Sequence, residues 1–162
     1  MWMLILLPFC LQMIIISLDE ICFHIKRGLP RFERIGHPVD TLSVVCCFAF
    51  VLFIPFSGLA LKIYIALSLF SCLLVTKDEF VHKHHCPAAE HWLHALLFLN
   101  HPILLTSLGL LWPLLSGAPA VSWLMSWQHH LPFLQIFISV QLASAVMFML
   151  YQIIYWNFIW QE

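Results

Sequence analysis

Acidic residues and histidines gather in two short windows of this chain. Seven of the eight acidic residues and eight of the ten histidines lie in residues 19–40 and 78–101. Carboxylates together with imidazoles suit iron, manganese or zinc, whereas ligands that are all oxygen suit magnesium or calcium. The pattern therefore predicts a metal site. Its candidate ligands are Glu20, His24, Glu33, His37, Asp40, Asp78, Glu79, His82, His85, Glu90, His94 and His101.

The spacing within the windows favours helices that carry these ligands on one face. Residues three, four and seven positions apart lie on the same side of an α-helix. Four sets follow this rule: Glu20 with His24; Glu33 with His37 and Asp40; Asp78 with His82 and His85; Glu90 with His94 and His101. Pro38, however, indicates a helix that begins at its own first turn, which would leave Glu33 and His37 on a connection.

The two windows also resemble two copies of one pattern. The first reads Asp19-Glu20-x3-His24 and then Glu33-x3-His37; the second reads Asp78-Glu79-x2-His82-x2-His85 and then Glu90-x3-His94. We therefore predict a tandem repeat of helical hairpins, one at about 1–57 and one at about 58–116, followed by a helix at about 131–158. Two hairpins pack naturally as a four-helix bundle whose sites are built from facing helices.

The composition is that of a membrane protein. Of the 162 residues 62% are hydrophobic and only 9% are charged, and the mean hydropathy is +0.94, whereas soluble domains carry about 25% charged residues. The net charge of −1 provides no basic surface for nucleic acid. The six cysteines form no CxxC pair, which argues against a disulfide framework, and Cys86 is a minor candidate ligand because histidines surround it.

Apolar segments of spanning length predict an all-α integral membrane domain with about five transmembrane helices. Their expected ranges are about 2–24, 38–54, 59–85, 89–115 and 132–156. The basic residues between the first and second helices and around the third connection are Lys26, Arg27, Arg31, Arg34, Lys77 and Lys83. The positive-inside rule then places the metal face in the cytoplasm and the N-terminus outside, and we expect a multi-pass protein of a bacterial inner membrane.

Charged side chains near lipid cost at least a few kcal/mol unless they are paired or ligated. Four acid–histidine pairs are more than one ion needs, so we expect two metal ions, iron first, with zinc or manganese as alternatives. The competing interpretation is a solvated membrane edge, in which Glu20 pairs with Lys26 and Asp78 with Lys77. His101 lies about two turns inside the fourth span, and it could be a ligand, a support for a ligand, or a hydrogen-bonded core residue.

Two families of di-iron enzymes share features with these windows. Glu79-x-x-His82 resembles the Glu-x-x-His motif of ferritin-like di-iron proteins, although the other pairs have one extra residue. His82-x-His84-His85 and His91-x-x-His94 are similar to the histidine boxes of membrane fatty-acid desaturases and hydroxylases, with different spacing and more carboxylates. The resemblance implies a metal centre and a lipid-directed chemistry, and it specifies no reaction.

Three functions are compatible with the sequence. The leading one is a di-metal oxidoreductase of the hydroxylase, desaturase or oxidase type, with iron as the expected metal. It would act on a lipid or another hydrophobic substrate in the bilayer and receive electrons from a partner. The second is a zinc-dependent membrane hydrolase in which Glu90 or Asp40 acts as general base. The third is a non-enzymatic metal-binding protein, or a haem-binding bundle that uses His94 and His101.

Overall fold

The computed structural model describes residues 2–77 and 87–160, and within these ranges it is helical and contains no β-strand. The prediction of an all-α fold is thus confirmed for the described residues. These described residues form five long helices: α1 (Met3–Arg27), α2 (Arg31–Phe53), α3 (Gly58–Leu74), α4 (Ala88–Leu115) and α5 (Gln128–Ile159). A short helix, Ser122–Met125, lies in the connection between α4 and α5.

Four of these helices, α1, α2, α4 and α5, are long and apolar enough to cross a membrane. Helix α3 has 17 residues, the lower limit for a spanning helix. The exposed surface carries many large apolar side chains, among them Leu69, Trp92 and Phe158. These helices are consistent with a multi-pass membrane protein.

Helix α2 begins earlier than the sequence predicts. Pro30 precedes its first turn with a φ of −63°, and the Pro30 carbonyl accepts hydrogen bonds from the N–H groups of Glu33 and Arg34. Pro38 lies inside the helix, so the predicted start near residue 38 is wrong. Pro38 has no N–H to donate to the Arg34 carbonyl, so one backbone hydrogen bond of the helix is missing there. Because the helix begins this early, Glu33 and His37 lie on it and not on a connection.

Helix α3 ends at Leu74, so the prediction that this helix continues to about residue 85 is wrong at residues 75–77. These residues form a turn, and both the N–H and the hydroxyl of Thr76 donate to the Leu73 carbonyl. That carbonyl is no longer used by a continuing helix. Residues 78–86 lie outside the described residues, and with them the predicted ligands Asp78, Glu79, His82 and His85 and the minor candidate Cys86.

Two helices contain a π-helical turn. In α1 it covers Glu20–His24, and in α5 it covers Tyr155–Ile159. A π-turn closes i→i+5 hydrogen bonds and is wider than an α-helical turn. It therefore changes which side chains share a face, and both turns lie beside the acidic residues and histidines described below.

The helices pack around an apolar core away from these acidic residues. Helix α1 packs mainly on α4, and α2 packs on α3 and most extensively on α5. The core contains Phe9, Leu108, Leu111 and Trp112, all fully buried. The Trp112 indole N–H donates to the Ile54 carbonyl at 2.9 Å. This packing holds α1, α2 and α4 at fixed positions, and these three helices carry the site residues.

Candidate metal centre

Two helices bring four metal-ligating side chains together. Asp19 and His24 lie on α1, Glu90 and His94 lie on α4, and all four are buried. Each can offer one ligand atom such that all four atoms lie within 4.8 Å of one another. The described part of the chain thus contains a buried His/Asp/Glu group that could hold a metal ion. We call Asp19, His24, Glu90 and His94 the four-donor group.

The donor separations in the four-donor group suit a common ion. The Nε2 atom of His94 lies 3.2 Å from each carboxylate oxygen of Asp19. The Nε2 atom of His24 lies 3.2 Å from Asp19 Oδ2 and 3.8 Å from Glu90 Oε1. Tetrahedral ligands at 2.0–2.1 Å from an ion are about 3.3 Å apart. The separations of Asp19 from His94 and from His24 agree with this value to within about half an ångström.

Among the atoms of the group that make no hydrogen bond within the described part of the chain are two potential ligand atoms. They are His24 Nε2 and Glu90 Oε2, and both are buried. Buried polar atoms in native proteins are nearly always hydrogen-bonded, because an unsatisfied one costs about 1–3 kcal/mol. A metal ion could be coordinated through the lone pairs of these two atoms, so the residues present are suitable metal ligands.

The π-turn in α1 explains why Asp19 belongs to this group. Asp19 and His24 are five positions apart, and in a regular α-helix such residues diverge by about 140°. A π-turn contains more residues per turn than an α-helical turn, so these two residues diverge less there. The α-helical spacing pairs Glu20 with His24 and does not bring Asp19 into the predicted ligand set. The signal for Asp19 in the sequence is its place in the repeated pattern, in which Asp19-Glu20 corresponds to Asp78-Glu79.

A second group of three side chains adjoins the first. It consists of His24, Glu33 and His37, which also offer ligand atoms within 4.8 Å of one another. The imidazole rings of His24 and His37 have centroids 4.9 Å apart, and His37 Nε2 lies 3.9 Å from Glu33 Oε2. The two groups share His24, so the structure brings ligands from α1, α2 and α4 to one place.

Arg27 lies between the acidic residues of α2 and α4. Its Nη2 atom donates to Glu33 Oε2 at 3.0 Å and to Glu90 Oε1 at 2.9 Å. Both carboxylates are fully buried, and a guanidinium is the side chain best suited to joining two buried carboxylates. Sequence analysis treated Arg27 only as a charge on the cytoplasmic connection. Its role inside the cluster could not be read from spacing, because it depends on how α2 and α4 pack.

Glu20 is occupied by hydrogen-bond donors. Its Oε2 atom accepts from His24 Nδ1 at 3.0 Å, and its Oε1 atom accepts from the Tyr151 hydroxyl at 2.7 Å and from the Trp156 indole N–H at 2.9 Å. Tyr151 and Trp156 lie on α5, a helix that sequence analysis placed outside the ligand-bearing bundle. Glu20 therefore joins His24 to α5.

The remaining described candidates, Asp40 and His101, belong to neither group. The Asp40 carboxylate accepts from Lys77 Nζ at 2.5 Å. His101 lies deeper: its Nε2 atom is 3.0 Å from Ser71 Oγ and its Nδ1 atom is 3.4 Å from Gln12 Nε2. Of the three interpretations left open for His101, the structure shows a hydrogen-bonded core residue.

A cavity of about 110 Å³ opens beside the site. At one end it is lined by Asp19, Glu20, His24, His37 and His94. Its other walls are mostly apolar side chains of α1, α2, α4 and α5: Met13, Ile16, Val44, Phe48, Leu97, Phe98, Leu104 and Phe148. The cavity thus joins the metal-ligating groups to a hydrocarbon-like space, which is the general form of a ligand site.

Comparisons with known proteins give no assignment. No protein-family model, curated protein or solved structure matches this chain. Its function must therefore be argued from the geometry of the site alone.

Proposed function

We propose that this chain is a membrane-embedded, metal-dependent oxidoreductase that acts on a lipid or another hydrophobic substrate. The observation that carries the proposal is the four-donor group, three of whose members, Asp19, His24 and His94, line a cavity with mostly apolar walls. Iron is the first choice of metal, because a mixed carboxylate and imidazole set suits it. When bound there, iron would supply the activation of oxygen.

The ligands of the first ion are the four-donor group. Asp19 and Glu90 would supply carboxylate oxygens, and His24 and His94 would supply Nε2 atoms. Arg27 offsets the negative charge of Glu33 and Glu90 through its two hydrogen bonds. This pairing lowers the cost of keeping two carboxylates buried, and it holds Glu90 in place.

A second ion would need further ligands. Because His24 Nδ1 is bonded to Glu20, His24 has only Nε2 to offer and can serve one ion. Glu33 and His37 then remain for the second position. The proposed di-metal centre therefore requires ligands from residues 78–86, where Asp78, Glu79, His82 and His85 are the candidates.

The cavity limits how much of a substrate can enter. An apolar cavity of about 150 Å³ holds one benzene molecule, so about 110 Å³ accommodates a segment of a few carbon atoms. The rest of a lipid would extend between the helices into the bilayer. The segment that reaches the polar end, beside Asp19 and His94, is the part that would react.

The proposed orientation places this face in the cytoplasm. Lys26 and Arg31 are exposed beside the site, and basic residues mark the cytoplasmic side of membrane helices. An electron donor of the cytoplasm or of the inner leaflet would then reach the site from this side.

A zinc-dependent hydrolase is the second candidate. The observation in its favour is Glu90 Oε2, a buried carboxylate oxygen with no hydrogen bond within the described residues. Such an oxygen could accept a proton from an attacking water molecule. Zinc would then be held by the remaining members of the four-donor group.

The test is oxygen consumption by iron-loaded protein. The full chain in lipid nanodiscs is loaded with ferrous iron, freed of unbound iron and supplied with a one-electron reductant and an extract of bacterial lipids. Oxygen uptake and oxidised lipids are measured above the level of empty nanodiscs treated in the same way. We expect both in wild-type protein and in the control His91→Ala, and neither in His94→Ala. Equal uptake by all three proteins would overturn the oxidoreductase proposal. Zinc-dependent release of lipid hydrolysis products without oxygen uptake would favour the hydrolase.

A further inference from the structure

Glu20 connects the metal-ligating histidine of α1 to the fifth helix. Both of its oxygens are used: Oε2 by His24 Nδ1, and Oε1 by the Tyr151 hydroxyl and the Trp156 indole. Glu20 and Trp156 are buried. A buried carboxylate that accepts three hydrogen bonds has a fixed orientation, and it fixes its partners in turn.

The bond to Glu20 determines which nitrogen of His24 is free for a ligand role. Because a carboxylate can only accept, Nδ1 carries the proton, and Nε2 has its lone pair directed toward the other donors. That atom lies 3.2 Å from Asp19 Oδ2 and 3.8 Å from Glu90 Oε1. Metal-ligating histidines nearly always donate their second N–H to a carboxylate, a carbonyl or water, which fixes the ring and its tautomer.

We propose that Glu20, Tyr151 and Trp156 are positioning residues that hold His24 in its ligating orientation, and that Glu20 is not itself a ligand. This inference rests on the proposed metal site. It revises the sequence-based interpretation of Glu20 as a terminal or bridging ligand. It also gives α5 a role in the site, although α5 contributes no residue to the groups of candidate ligands among the described residues.

The two π-turns support this assignment independently. His24 and Glu20 lie in the π-turn of α1, and Trp156 lies in the π-turn of α5. π-Turns are rare and are found frequently at functional sites. Here the two turns meet through the hydrogen bond between Trp156 and Glu20.

The experiment measures cobalt binding by the full chain in mild detergent. The variants are Tyr151→Phe, Trp156→Phe, the double variant and Glu20→Gln. The matched control is Tyr155→Phe, which removes a hydroxyl from the ring stacked on Tyr151 without removing a donor to Glu20. We expect the double variant and Glu20→Gln to bind cobalt about 10–100-fold more weakly, the usual cost of losing an outer partner of a ligand, with shifted visible bands. Tyr155→Phe should match wild type.

The outcomes separate this inference from the proposed function. If wild-type protein binds no metal, the proposed function fails as well. If wild type binds cobalt and the double variant has the same affinity and spectrum, only the positioning role is overturned. If Glu20→Gln loses a bound ion at saturating cobalt while the double variant is unchanged, Glu20 is a ligand and the inference is wrong. Tyr151→Phe alone, which removes one oxygen atom, keeps the test valid if larger changes prevent folding.

Discussion

The two ends of the helix bundle differ in the charge and the hydrogen-bond partners of their buried polar groups. Around Trp112 two buried polar side chains are neutral and donate to main-chain carbonyls: the indole of Trp112 to Ile54 and the hydroxyl of Tyr64 to Leu105. At the opposite end, carboxylates and imidazoles are buried beside one another, and Arg27 joins Glu33 to Glu90. We call the end around Trp112 the packed end and the end that contains Arg27, Glu33 and Glu90 the charged end.

The difference indicates what each end is for. Neutral side chains that bond to carbonyls stabilise a fold at little cost. Buried charged groups seldom stabilise more than apolar residues of the same volume would. The acidic end also contains His24 Nε2 and Glu90 Oε2, which lack hydrogen bonds within the described residues. A metal ion bound by these groups would account for this arrangement.

The largest expected effect is the loss of stability when the packing around Trp112 is disrupted. Trp112 is fully buried, and its replacement by alanine removes a large side chain and leaves a cavity. We expect Trp112→Ala to lower the free energy of unfolding by about 3–5 kcal/mol. Metal content per folded molecule should be unchanged, because Trp112 does not belong to the metal-ligating groups. Unfolding in detergent monitored by circular dichroism measures the first quantity, and loss of metal from the folded fraction would contradict the separation of the two ends.

The next largest effect is the loss of metal affinity when one donor of the four-donor group is removed. Asp19→Asn and His94→Ala each remove one donor of the four-donor group, so we expect metal affinity to fall by more than about 100-fold, beyond the cost of losing an outer partner. The unfolding transition of metal-free protein should move little. Isothermal titration with zinc or cobalt gives the affinity, with His91→Ala as the control on α4. Wild-type affinity in Asp19→Asn would remove Asp19 from the ligand set.

Acidification should weaken metal binding at the charged end. Metal binding requires deprotonated ligands, so protons compete with the metal ion as the pH falls. Affinity should then decrease by about tenfold per pH unit for each imidazole that must lose a proton. Metal retained after dialysis at pH 7, 6 and 5 measures this. Retention that is independent of pH would argue against histidine ligands.

The smallest expected effect tests whether Asp40 lies outside the metal site. The Asp40 carboxylate is paired with Lys77 and lies outside both metal-ligating groups. We therefore expect Asp40→Asn to change metal affinity less than about threefold, far below the effect of losing a ligand. The same titration tests it against Asp19→Asn. A loss comparable to that of Asp19→Asn would return Asp40 to the ligand set.

The sequence allowed the helical fold and much of the site to be predicted, because both follow from local periodicity. The apolar segments predicted the helices, and the i, i+4 spacing predicted the pairs Glu20 with His24 and Glu90 with His94. What periodicity could not predict were departures from it. The π-turn in α1 brings in Asp19, and Pro30, not Pro38, determines where α2 begins.

Contacts between distant helices were equally hidden from the sequence. The bonds from Tyr151 and Trp156 to Glu20 join residues more than 130 positions apart. No local pattern encodes such a contact, since it depends on how α5 packs against the rest of the bundle. The tandem hairpin repeat, the cytoplasmic orientation and the ligands in residues 78–86 stay predictions.

The central claim is that Asp19, His24, Glu90 and His94 hold a metal ion. The most direct measurement is elemental analysis by plasma mass spectrometry of the full chain, purified in mild detergent without a chelating resin, beside Asp19→Asn and His91→Ala purified in the same way. We predict at least one iron, or zinc, per chain in wild type and His91→Ala, and a clear loss in Asp19→Asn. Wild-type protein that contains no metal and takes up no iron, zinc or manganese would contradict the claim.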